Sequence, residues 1–93
     1  MLEKQIEESV CQYAREAGML VYKFTSPNRA AVPDRLLITP KGTSWFIEMK
    51  RSGQKPTPQQ QREHDRLRGH NVMVFVVDST AMGRACVDAM RDW

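Results

Sequence analysis

No stretch of the 93-residue chain approaches the roughly 20 consecutive apolar residues that span a bilayer. The start is charged at once and lacks a long apolar run, which argues against a secretory signal. Cysteine is scarce: Cys11 and Cys86 are the only two, each in a predicted amphipathic helix without metal-type neighbours. They make neither a zinc spacing nor a disulfide framework, so reduced, partly buried thiols in an intracellular protein are expected. The solitary glycines form no nucleotide-binding loop. No groove-reading motif such as a zinc finger or basic zipper is present. No linker, repeat or low-complexity segment divides the chain, which leaves one domain over residues 1–93.

What is present fits a small globular protein, with 41% hydrophobic and 27% charged residues. The net charge of +3 is a weak pointer to an anionic partner. The distribution says more. Lys41, Lys50, Arg51, Lys55, Arg62, Arg66 and Arg68 crowd the middle of the chain, whereas the N-terminal segment carries Glu3, Glu7, Glu8 and Glu16.

From Leu2 to Ala17, Leu2, Ile6, Val10, Tyr13, Ala14 and Ala17 recur at helical spacing, and Gly18 is a natural stop. Leu20 to Phe24 reads as a strand. A loop over Thr25 to Ala31 follows, and Pro33 suits the entry to a second strand over Arg35 to Thr39. Pro40-Lys41-Gly42-Thr43 is the turn into a third strand over Ser44 to Lys50. The two-residue period there places Phe46, Glu48 and Lys50 on one face and Trp45, Ile47 and Met49 on the other. After a basic loop, Thr57, Pro58 and Gln60 open a helix to Arg68 as N-cap, first helical residue and capping-box partner, with Gly69 ending it. Val72 to Val77 is a continuous apolar strand, expected in a central, partly parallel position. Thr80 to Arg91 is a last helix with Met82, Ala85, Cys86, Ala89 and Met90 on its apolar stripe, onto which Trp93 is expected to fold. The order is α-β-β-β-α-β-α, an α/β fold with a mixed four-stranded sheet flanked by helices.

Pairing the second and third strands as a hairpin brings Asp34 to the strand end that carries Glu48 and Lys50. Two nearby carboxylates repel when both are ionised, so they call for a cation between them. A hard divalent ion with oxygen ligands suits such a pair.

Pro33-Asp34 followed by Glu48-Met49-Lys50 resembles the motif of the PD-(D/E)XK nuclease superfamily. Glu7, Lys23-Phe24-x-Ser26-Pro27, Val32-Pro33-Asp34-Arg35, Phe46-Ile47-Glu48-x-Lys50, Lys55-Pro56 and Gln60 together resemble the VRR-NUC family, in particular its small stand-alone members of phage and bacterial type. The resemblance runs from about Glu3 to Asp78. It implies a PD-(D/E)XK nuclease-like core and a Mg²⁺- or Mn²⁺-dependent endonuclease that hydrolyses DNA. It further implies a role in DNA repair, on branched or structured DNA such as Holliday junctions or flaps, and a homodimer in the phage or bacterial cytoplasm.

On that resemblance Asp34, Glu48 and the backbone carbonyl of Met49 hold the metal, and Lys50 positions or deprotonates a water or offsets charge on the phosphate. Glu7 is the helix-one acid, with Glu8 the neighbouring candidate, and Gln60 holds water, substrate or Lys50. Lys23, Arg29, Arg35, Arg51, Lys55 and Arg62 are candidates for phosphate contact, which positions DNA without reading its bases. One departure stands out: the family usually carries glycine before Val-Pro-Asp, and here Ala31 stands in that place. An ordinary φ there accommodates alanine, whereas a positive φ or a close DNA approach implies reduced activity. The alternative reading is a non-catalytic nucleic-acid-binding or assembly module on the same fold.

Overall fold

The computed structural model describes residues 1–93. The chain runs α1 (Glu3–Glu16), β1 (Leu20–Lys23), β2 (Arg35–Ile38), β3 (Ser44–Met49), α2 (Pro58–Arg68), β4 (Val74–Val77) and α3 (Thr80–Met90), the order expected from the sequence. The four strands form one sheet in the order β1-β2-β3-β4. The first two pairings are antiparallel and β3 pairs with β4 in parallel.

The two faces of β3 divide the molecule. Trp45, Ile47 and Met49 are fully buried and join Leu37 and Val77 against Ile6, Val10 and Ala14 of α1 and Val87 and Met90 of α3. Burying a side chain of this size contributes about 1.5–3 kcal/mol relative to exposure, so this single layer carries most of the fold. Helix α2 lies over the opposite face, that of Phe46, Glu48 and Lys50, where it brings His64 onto Glu48.

Local chemistry explains the helix ends. Gly18 takes a φ of +86° after α1, a conformation that glycine adopts without a Cβ clash. At α2 the Gln60 N–H donates to Thr57 Oγ1 (3.2 Å) and the Thr57 N–H donates to Gln60 Oε1 (3.0 Å), so the capping box forms in full. Gly69 follows the last residue of that helix but keeps a right-handed φ of −63°. The left-handed residue of the turn is Asn71, with φ +63°.

Three expectations are corrected. First, β4 is an edge strand and not a central one. Its unbroken apolar run reflects helices on both faces, since α2 and α3 each pack on it. Arg68 Nη2 donates to the Val74 carbonyl at 2.7 Å and blunts the open edge.

Second, α3 turns a different face inward. Gly83, Val87 and Met90 are buried, whereas Met82, Ala85 and Ala89 are exposed. A Cβ at Gly83 would lie 2.2 Å from a methyl of Val10, so the missing side chain is what lets α1 and α3 touch. Third, Trp93 leaves the helix stripe and is exposed. Its carbonyl accepts from Thr39 Oγ1 at 2.7 Å, and the Asp92 carbonyl accepts from Lys41 Nζ at 3.1 Å, tying the C-terminal end to the β2–β3 turn.

Candidate active site

The antiparallel register of β2 and β3 sets Arg35 opposite Ile47. One step further places Asp34 beside Glu48, on the α2 face by strand alternation. The backbone holds Asp34 from two directions. Its carbonyl accepts from the Phe24 N–H at 2.9 Å, and its Oδ2 accepts from the Met49 N–H at 2.8 Å. The structure thus brings Asp34 and Glu48 together. Phe24 and Phe46 meet edge to face beside them, with ring centroids 5.1 Å apart.

Glu48 is 2% exposed. Burial, then the Asp34 carboxyl next to it, pushes its carboxyl up to about 8, against the opposing pull of Lys50. Lys50 Nζ lies 4.0 Å from Glu48 Oε2, with a side chain only 12% exposed. A carboxylate so strongly raised holds a proton at neutral pH where a cation could sit instead. A hard divalent cation between the two carboxyls would relieve their repulsion and displace that proton.

Backbone alternation adds a third donor. The N–H groups of Phe46 and Lys50 turn to the β4 side, donating to the Met73 and Val77 carbonyls. Met49 therefore presents its N–H and carbonyl to the β2 side, just beyond the first residue of β2. Asp34, Glu48 and the Met49 carbonyl make an all-oxygen set that fits Mg²⁺ or Mn²⁺. No group of three or more His, Cys, Asp or Glu side chains gathers there or elsewhere, so Asp34 and Glu48 are the side chains the protein offers such an ion.

From the sequence His64 reads as a satisfied surface or boundary histidine, which the structure corrects. Its ring is wholly buried, with Nε2 3.4 Å from Glu48 Oε1 and Nδ1 without a partner. Burial lowers its pKa, helped by the Arg68 charge. Once Glu48 gives up its proton, as it would to a bound cation, a neutral His64 ring can donate to it from Nε2, with Nδ1 left as the acceptor. The sequence signal for His64 was its place on the same helical face as Gln60 and Leu67.

Other expected residues lie elsewhere. Glu7 is not drawn to the carboxylate pair: its Oε1 accepts from Arg35 Nη2 at 2.9 Å. Arg35 points to the α1 side because it alternates with Asp34 along the strand. Its guanidinium is thus engaged by Glu7 through Nη2, and its Nε is buried without a partner. Among the acids of α1, Glu3 is the one whose charge adds to the rise at Glu48. Gln60 has its side-chain oxygen engaged by the helix cap. Arg29 donates through Nε to Glu63 Oε1 at 2.6 Å. Lys23, Arg51, Lys55 and Arg62 are exposed and make no ion pair. Ala31 takes φ +65°, so the position where the resembling family usually carries glycine is a left-handed one.

The chain is similar to known proteins of one family. A family model described as the VRR-NUC domain matches residues 2–81. A protein named "Putative nuclease p44" from Acyrthosiphon pisum secondary endosymbiont phage 1 is 47% identical over 77 residues, which cover 83% of each chain. A solved structure described as a VRR_NUC domain superposes with a TM-score of 0.87 at 34% identity, covering 95% of this chain and 96% of that one. No helix is long and apolar enough to cross a membrane.

Proposed function

Because the chain belongs to the VRR-NUC domain family, and so to the nucleases, we propose that it is a divalent-metal-dependent DNA endonuclease acting on branched or structured DNA such as Holliday junctions or flaps. The observation that carries this reading is the carboxylate pair at adjoining strand ends, with buried Glu48 raised to about 8 beside Asp34 and Lys50 within 4.0 Å.

Asp34, Glu48 and the Met49 carbonyl would hold Mg²⁺ or Mn²⁺. When bound, the ion supplies Lewis-acid polarisation of a phosphoryl oxygen and lowers the pKa of water. The remaining work falls to the protein. The Met49 N–H fixes one oxygen of Asp34 and so aims the other. His64 holds Glu48 Oε1 from behind, which steadies the carboxylate without adding charge. Lys50, on the same face, orients the attacking water or offsets charge that builds on the phosphate.

A panel of labelled duplex, flap and four-way-junction DNA, with Mg²⁺, Mn²⁺ or chelator, tests this. Product is expected only with metal. Asp34→Asn or Glu48→Gln should abolish it, a loss of about 10³-fold or more, while DNA binding persists. Cleavage by both purified variants sinks the mechanism.

One observation favours the second reading, a non-catalytic nucleic-acid-binding module. Ala31 occupies a left-handed φ in the loop that delivers Asp34, and a chain freed from catalytic selection tolerates such a replacement. That reading predicts salt-sensitive DNA affinity and no cleavage with any metal.

We also propose a homodimer in a phage or bacterial cytoplasm, a setting suggested by the phage relative. The exposed apolar face of α3, with Met82, Ala85 and Ala89, supports the assembly. Sedimentation should give twice the 10.7 kDa chain mass. A monomer at every working concentration removes the dimer.

A further inference from the structure

Between the loop that precedes Asp34 and the outer side of α2 lies a pocket of about 420 Å³, lined by Asn28, Arg29, Gln59, Arg62, Glu63 and Arg66, with Ala30 as its one apolar wall. Glu63 is its organising group. The side chain is only 6% exposed, and Arg29 Nε and Arg66 Nε both donate to its Oε1, at 2.6 and 3.3 Å. The Arg29 hydrogen bond, reinforced by both guanidinium charges, keeps Glu63 below the usual carboxylate range.

Two arginines clamped by Nε to one oxygen are oriented, yet each keeps its terminal amino groups outside that bond. Their side chains are 49% and 52% exposed. Arg62, on the same wall, has no ion pair at all. Three guanidiniums against one carboxylate leave the pocket positive, and its walls offer no aromatic side chain on which a base could stack. The ligand such a pocket takes is an oxyanion, bound by planar donors in a fixed arrangement.

The position relates this pocket to the catalytic pair without merging the two. Its loop wall leads directly into Asp34. Its helix wall carries Glu63, whose neighbour His64 contacts Glu48. We propose that Arg29, Arg62 and Arg66 form a subsite for a non-scissile phosphate of the nucleic-acid strand being cut. The assignment rests on the nuclease reading for its substrate and on the pocket for its chemistry. A phosphate held here anchors the backbone on both the loop and α2, the two segments that bear on Asp34 and Glu48.

The test is Arg62→Ala/Arg66→Ala beside Arg62→Lys/Arg66→Lys, both leaving the Arg29–Glu63 pair in place. Binding of labelled flap DNA is measured in chelator across a salt titration, and cleavage is measured separately with metal. The alanine variant should bind about tenfold more weakly, with the slope of log affinity against log salt reduced by about one. Its KM should rise while kcat stays within about twofold of the parent, since the subsite holds substrate and transition state alike. The lysine variant should regain the salt slope.

Wild-type affinity and slope in the alanine variant overturn the subsite, even if the parent cuts DNA well. A parent that cuts nothing with any metal, paired with an alanine variant that still loses binding, overturns the nuclease reading and leaves the subsite standing.

Discussion

Ala31 holds a backbone conformation that L-residues avoid, at a cost of roughly 1–2 kcal/mol. Glycine removes the clash but adds freedom to the unfolded chain, worth about 0.5–1 kcal/mol in the other direction. Ala31→Gly should therefore stabilise the fold by about 0.5 kcal/mol, raising the melting temperature by about 2–4 °C. A variant that melts at or below the parent shows that the loop carries no strain. The departure from the family pattern was visible in the sequence, but its consequence was not, because φ is a property of the folded loop. His64 was hidden for a related reason. Its partner Glu48 lies on another element, so no local spacing advertises the pair.

At the scale of elements, what could be read depended on which pattern had a direct physical cause. Alternation along β3 separates Trp45, Ile47 and Met49 from Glu48 and Lys50 because successive side chains must face opposite ways. The capping box at Thr57 and Gln60 was equally direct. The place of β4 in the sheet was not, since an apolar run reports covered faces and says nothing about how many strands lie alongside. The rotation of α3 was missed because Gly83 counts as no hydrophobe, although the residue without a side chain is where the neighbouring helix comes nearest. Glu7 has a helical position compatible with either face of the strand end. Only the ion pair with Arg35 reveals which one it takes.

For the whole molecule, the raised Glu48 carboxyl makes stability depend on pH. Below its ordinary value of 4.5 the group is protonated folded or unfolded. Between 4.5 and about 8 the unfolded chain releases that proton and the folded one keeps it. The unfolded state then binds fewer protons, so this group's contribution to stability falls as pH rises through that window. In chelator, the melting temperature of the parent minus that of Glu48→Gln should decline from pH 5 to pH 8. Saturating Mg²⁺ should restore it, more at pH 8 than at pH 5, because the ion replaces the proton. A difference that climbs with pH in chelator contradicts the assignment.

Helix α2 supplies Glu63 and His64 to the interior and no fully buried apolar side chain. The roof of the site is thus fastened by charges and polar contacts, while the α1–α3 layer beneath the sheet is fastened by oil. Salt loosens the first kind of fastening and leaves the second alone or tightens it. How firmly the roof closes and how hard the protein is to melt are therefore separate quantities. A substitution that toughens the oily layer leaves the grip on the roof as it was.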